Sequence, residues 1–184
     1  MRHVIDDTVL ISDGEVNSDV AEKLVSFLES NFDYEEGTIG NIPSDKTKYR
    51  FKGGGKIEKN SSEESNFVNH LIDLEMIPVM QGHRLEYTCK VHEMEEGGKM
   101  DWHDDHGHSL AVSYYLSECV GGELEVVLAT NDDCDIERVI RLSPKRNRIV
   151  VMKGANMHRV LPVEAGKRKS VQIFLQFCKL SEED

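Results

Sequence analysis

At Gly82 the hydrophobic pattern of this chain changes period, and that change limits its fold more than any other feature. Upstream, Val20, Leu24, Phe27 and Leu28 share one stripe of a helix that Ser18 can cap and that runs to about Phe32. Phe67, Val68, Leu71, Ile72 and Met76 carry a second amphipathic helix to Pro78, opened by a capping-box pair, Ser61 and Glu64. Downstream, apolar and polar residues alternate, so that Leu85, Tyr87, Cys89 and Val91 share one face of a strand. Further short strands are expected near 100–104, 109–116, 122–128, 136–142, 148–152, 157–161 and 169–178. Gly121-Gly122, Asn131-Asp132-Asp133, Ser143-Pro144 and Gly154 supply the turns between them. Two N-terminal helices followed by about eight strands predict a mainly β fold with flanking helices (α+β), a jelly roll buttressed on one side.

A chain of 184 residues is long enough to bury one core, and one domain over 1–184 is expected. Residues 1–82 would form its helical support and 83–179 its jelly-roll core. Residues 33–60 lack a clear period and read as a connector or an active-site flap. Their Gly53-Gly54-Gly55-Lys56 has neither the spacing nor the Ser/Thr of a phosphate-binding loop.

The net charge of −12 repels phosphate backbones and anionic membranes, which argues against nucleic-acid and lipid partners. Basic clusters at 145–148 and 167–169 soften that argument. Cys89, Cys119, Cys134 and Cys178 are widely spaced, with no CxxC, and read as reduced thiols. The N-terminus has acids among its apolar residues, unlike a signal peptide, and no run approaches the ~18 apolar residues of a membrane span. A soluble, cytoplasmic protein is expected.

Residues 100–108, MDWHDDHGH, pack three histidines and three aspartates beside the only tryptophan. In an extended segment residues i and i+2 point the same way, so His103 and Asp105 fall together and Asp104 points away. A third ligand must come from a neighbouring strand. His158 is the best placed, after the apolar run Ile149–Met152 and the Gly154 turn. Two histidines and one carboxylate on one face of an octahedron suit non-haem iron(II), whose open positions take a co-substrate and dioxygen. An EF-hand loop needs a different acid spacing, a closed zinc site wants sulfur or a fourth ligand, and a His-x-His reading of His106 and His108 lacks a following glutamate.

The last strand adds an anion site. Arg168, Ser170, Gln172, Phe174 and Gln176 share one face by period two, and Val171, Ile173, Leu175 and Phe177 share the other. The aliphatic face should pack on the helices and the mixed face should line the barrel interior. A buried arginine is costly unless it meets an anion, and a dicarboxylate would meet that need.

Taken in order, these pieces resemble the iron(II)- and 2-oxoglutarate-dependent oxygenases of the prolyl 4-hydroxylase-like branch. The resemblance runs from about Tyr87 to Phe177. It rests on Trp102-His103-Asp104-Asp105, Ser113-Tyr114-Tyr115-Leu116, Gly121-Gly122-Glu123-Leu124, His158-Arg159-Val160-Leu161-Pro162-Val163 and Gly166-x-Arg168-x-Ser170. It implies a double-stranded β-helix, the cupin-like form of the jelly roll. It further implies Fe(II) held by His103, Asp105 and His158, with 2-oxoglutarate and O2 as co-substrates and ascorbate as an accessory reductant. Arg168 would bind the distal carboxylate of 2-oxoglutarate with the hydroxyls of Ser170 and Tyr115, Phe174 would line the pocket, and the GGEL turn would be a marker of the fold. One departure stands out: the tyrosine usual nine or ten residues before the first histidine is replaced by Met94 and Glu93, the nearest being Tyr87.

The activity implied is hydroxylation of a C–H bond with release of succinate and CO2. A protein, peptide or amino-acid side chain, proline among them, is the leading substrate, and a small molecule is the other candidate partner. Nucleobase demethylation on the same scaffold would want a basic groove, and a non-catalytic metal-binding jelly roll would make no succinate. Substrate contacts are expected from residues 33–60, the Thr130–Asp135 loop and the barrel mouth. No pattern in the sequence fixes an oligomeric state.

Overall fold

The computed structural model describes residues 2–5, 7–31, 35–36, 47–56, 62–130 and 135–180. Strands dominate, with two helices among the described residues. The chain runs β1 (Arg2–Ile5), β2 (Val9–Asp13), α1 (Ser18–Asn31), β3 (Glu35–Glu36), β4 (Thr47–Lys56), α2 (Glu63–Asp73) and β5 (His83–Met94). It continues through β6 (Met100–His103), β7 (Leu110–Tyr115), β8 (Cys119–Gly121), β9 (Leu124–Thr130) and β10 (Ile136–Leu142). Last come β11 (Arg148–Lys153), β12 (His158–Val160), β13 (Val163–Gly166) and β14 (Arg168–Lys179).

One sheet has the order β1-β2-β11-β7-β14-β5-β4-β3, and a smaller one the order β10-β9-β12-β6. β13 and β8 form a third, two-stranded sheet. The larger sheet separates two apolar layers, and the alternation along each strand assigns its residues to one or the other. On β14, Val171, Ile173 and Leu175 pack with Leu24 and Leu28 of α1 and Phe67 and Leu71 of α2. On β11, Ile149 and Val151 join that layer, whereas Val150 and Met152 face the smaller sheet with Leu124, Val126 and Val160. Each fully buried aliphatic side chain of this kind contributes about 1.5–3 kcal/mol. The prediction that β14's aliphatic face rests on the helices is therefore met.

Several boundaries differ from the sequence reading. The N-terminus is not merely a lead-in to α1: β1 and β2 form a hairpin, turned at Asp7 with φ 52°, and β2 pairs with β11. Residues 47–56, expected in a connector, form a strand on the edge of β5, and the Gly53-Gly54 step falls at a register shift between Lys52 and Gly55. Glycines at a bulge cost the ladder little, which hides the strand from a periodicity reading. The cap of α2 is Ser62, whose side chain accepts from the Ser65 backbone N–H; Ser61, Phe32 and most of 33–46 and 57–60 lie outside the described residues. The strand expected at 122–128 is β9, which starts at Leu124, and an additional short strand, β8, precedes it across Gly121 and Gly122, both at positive φ. None of Cys89, Cys119 and Cys178 forms a disulfide. No helix among the described residues is long and apolar enough to cross a membrane.

Candidate metal centre and its cavity

His103 ends β6 and His158 begins β12, and the two are directly opposite in the antiparallel ladder. Their ring centroids are 4.1 Å apart. Asp105 lies just past β6, and its carboxylate Oδ2 is 3.5 Å from His158 Nε2. One ligand atom from each of His103, Asp105 and His158 lies within 4.8 Å of the others.

Backbone contacts fix this arrangement. His103 Nδ1 is 2.8 Å from the Asp101 carbonyl, and His158 Nδ1 is 2.8 Å from the Asn156 carbonyl. A carbonyl can only accept, so each Nδ1 carries its proton and each Nε2 presents a lone pair. Burial and the neighbouring His103 push His158 below the ordinary histidine range, which favours that neutral form. Asp105 is placed less by strand alternation than by a turn pressed against Gly154. Its N–H donates to the Gly154 carbonyl at 2.7 Å, and His108 N–H donates to the Asp105 carbonyl at 2.8 Å. A Cβ on Gly154 would stand 2.0 Å from the His108 carbonyl oxygen, so only glycine lets the β11–β12 turn come this close. Asp104 points away, as predicted, and pairs with exposed His106.

The same cavity is lined by Arg168, Gln172 and Phe174 of β14, Lys90 and His92 of β5, and Ser113 of β7, opposite the His and Asp cluster. Arg168 is 1% exposed. Its Nε donates to the Gly122 carbonyl at 3.0 Å, its two terminal nitrogens to Ser170 Oγ at 3.3 Å and Tyr115 Oη at 3.2 Å. The guanidinium also lies over the Tyr115 ring, 4.9 Å from its centroid. Arg168, Ser170 and Tyr115 are thus brought together. No carboxylate is within ion-pair distance of Arg168 among the described residues. A buried cation bonded only to neutral acceptors calls for an anionic ligand, and two imidazoles with one carboxylate suit a divalent ion. The residues present therefore fit both an Fe(II) ion and a dicarboxylate.

Three features escaped the sequence reading. The Gly121-Gly122 turn, read as a marker of the fold, supplies the carbonyl that holds Arg168. Gln172 links the polar row: Ser113 Oγ donates to its Oε1 at 2.8 Å, and its Nε2 donates to Ser170 Oγ at 2.9 Å. Lys90 and His92 enter from β5, whose aliphatic face carries the clearer signal in the sequence. Burial lowers the pKa of both, Asp105 partly offsetting this for Lys90, while the cations Lys90 and Arg168 lower His92 further. Of the regions expected to contact substrate, residues 131–134 and most of 33–60 lie outside the described residues.

The sequence profile of the 2OG-Fe(II) oxygenase superfamily matches residues 89–176, which carry every residue of this cavity. No curated protein matches the sequence. Among solved structures, an oxidoreductase of the 2OG-Fe(II) oxygenase family from Burkholderia pseudomallei is similar at TM-score 0.66 and 16% identity, over 92% of this chain and 85% of that one. A Pseudomonas putida prolyl-4-hydroxylase is similar at TM-score 0.64 and 16% identity, over 95% and 94%. A Trichoplax adhaerens prolyl hydroxylase, in complex with a hypoxia inducible factor oxygen degradation domain peptide fragment, follows at TM-score 0.64 and 17% identity, over 94% and 84%. At such identities the likeness is one of fold.

Proposed function

We propose that this chain, whose residues 89–176 match the 2OG-Fe(II) oxygenase superfamily, is a 2-oxoglutarate-dependent dioxygenase that hydroxylates a C–H bond on a peptide, protein or amino-acid side chain, proline among the candidates. The observation that carries this reading is one cavity holding both the His103, Asp105 and His158 cluster and a buried Arg168 that no acid among the described residues pairs with. On this reading the chain is a single domain whose two facing sheets form a double-stranded β-helix.

His103, Asp105 and His158 would hold Fe(II) through Nε2, carboxylate and Nε2. Iron, 2-oxoglutarate and dioxygen together supply the oxidising chemistry, releasing succinate and CO2. Arg168 would pair with the distal carboxylate of 2-oxoglutarate. Ser170 Oγ already accepts from Arg168 and from Gln172, so its own proton is left to donate to that carboxylate. Tyr115, whose Oη accepts from Arg168, has its phenolic proton free for the same purpose. Buried Met94, Met100, Leu124, Val160 and Phe174 surround these groups and keep bulk water from competing for them.

Anaerobic protein given Fe(II) and 2-oxoglutarate should show a weak visible charge-transfer band that His158→Ala abolishes. Succinate release should then be coupled to a mass gain of one oxygen atom in a member of a peptide or amino-acid panel. A wild-type protein without the band, or a His158→Ala protein that keeps it, overturns the assignment.

A further inference from the structure

We propose that Lys90 is a second anion-recognition point in this cavity and that the substrate carries a carboxylate with which it pairs; the proposal rests on the oxygenase reading above. Lys90 stands opposite Gln172 in the β5–β14 ladder, and Arg168 stands opposite Met94. Both side chains line the one cavity. Four residues of strand, roughly 13 Å, separate their backbone positions. The Lys90 ammonium leans away from Arg168, lying 4.4 Å from the centroid of the Phe174 ring. The His108 ring packs against Phe174 as well, with centroids 5.0 Å apart. The cavity therefore has a cation at each end: Arg168 beside Gly122, Ser170 and Tyr115, and Lys90 beside Phe174 and His108.

Nothing among the described residues neutralises Lys90. No carboxylate of a described side chain lies within ion-pair distance of its Nζ. Asp105 attracts it from farther off, but that carboxylate belongs to the metal cluster and a bound metal would claim its charge. An aromatic face favours a cation without balancing it. A largely buried ammonium facing a cavity is costly until an anion arrives. The other end of the cavity already has three donors for the distal carboxylate of 2-oxoglutarate, and the remaining end of that molecule goes to the metal. The anion left for Lys90 is the substrate's. A single ammonium flanked by an aromatic ring suits a monoanionic carboxylate; a phosphate would want several donors around it.

Protein loaded with Zn(II) in place of Fe(II), and saturated with 2-oxoglutarate, provides an inert complex for binding measurements. It is titrated by calorimetry and thermal melting with N-acetyl amino acids, each as the free acid and as the C-terminal amide. At least one acid should bind about tenfold or more tightly than its amide, a difference of about 1.4 kcal/mol. Lys90→Met keeps the apolar stem and should erase that preference while leaving Zn(II) and 2-oxoglutarate affinities unchanged. Lys90→Arg should restore it. The proposal is overturned by a panel with no preference for acids, or by a Lys90→Met protein that keeps the preference. It is also overturned if Lys90→Met weakens 2-oxoglutarate as much as Arg168→Ala does, because Lys90 then serves the co-substrate. A wild-type protein that binds neither Zn(II) nor 2-oxoglutarate sinks the oxygenase reading itself, an outcome visible before any Lys90 variant is made.

Discussion

The metal end and the anion end of this cavity are built by different means. At the metal end each imidazole is aimed by a carbonyl two residues before it, and Asp105 by a short turn to His108 together with the Gly154 carbonyl, 49 residues away in sequence. At the anion end Arg168 is aimed by groups 46 and 53 residues away in sequence, the Gly122 carbonyl and the Tyr115 hydroxyl. Local aiming keeps the supports of the two imidazoles simple, and Asp105 alone of the three ligands leans on a distant turn. Distant aiming spreads the support of Arg168 over β7, β14 and the β8–β9 turn, so that single losses there should be graded. Variants ranked by expected effect test this contrast.

The largest effect belongs to the ligands. His103→Ala, His158→Ala and Asp105→Ala should each lose Fe(II) binding and hydroxylation, read by metal titration and by succinate release. Retention of normal metal affinity by any one of them would remove it from the cluster. Arg168→Ala comes next. Removing one partner of a buried charge pair costs about 2–5 kcal/mol, so the 2-oxoglutarate requirement should rise steeply while Fe(II) affinity holds. Equal losses of metal and co-substrate would mean that the two ends are one cooperative unit.

Gln172→Leu should be milder. It removes the amide that bonds Ser170 but leaves Arg168 in place, a loss of about 0.5–1.5 kcal/mol for a neutral hydrogen bond. The 2-oxoglutarate affinity should fall several-fold with no change in metal binding. An effect as large as that of Arg168→Ala would show that the row Ser113, Gln172, Ser170 carries as much of the anion site as the arginine does. Lys167→Ala and Lys169→Ala should not change the 2-oxoglutarate requirement, since both lysines face away from the cavity. They are not structurally idle, however. Lys167 pairs with Glu93 and Lys169 with Glu29. Glu93 is only 8% exposed and Glu29 is a surface residue, so thermal melting should fall more for Lys167→Ala.

The same contrast explains what could be read in the sequence. His103 and Asp105 are two positions apart, and His158 follows an apolar strand and a glycine turn; these are local patterns, and they survive in one dimension. The two faces of β14 were equally legible, because period-two alternation is local. The polar face of β5 was not. Thr88, Lys90 and His92 alternate with buried Cys89 and Val91, and a polar stripe opposite an apolar one ordinarily means solvent. Only the smaller sheet closing over β5 turns that stripe into a cavity wall, and nothing near residue 90 announces it. The hairpin at the N-terminus was hidden for a related reason: β2 is five residues long and gains its partner, β11, from 135 to 143 positions away.

The smallest expected effect is at Asp104, and it is the sharpest check on how the metal end is aimed. Asp104 and Asp105 are adjacent, chemically identical and differ only in direction. Asp105 is held by the Gly154 carbonyl and faces His158, whereas the Asp104 carboxylate accepts from the backbone and ring of exposed His106. The nearby His106 lowers the Asp104 pKa, and Asp104 in turn raises that of His106, so the pair is an exposed ionic contact outside the cavity. Exposed contacts of this kind are worth little. Asp104→Ala should therefore keep Fe(II) affinity and most of the hydroxylation, with at most a small change in melting temperature. If Asp104→Ala were the inactive variant and Asp105→Ala the active one, the turn at Gly154 would be aiming the wrong carboxylate, and the geometry of the whole metal end would have to be redrawn.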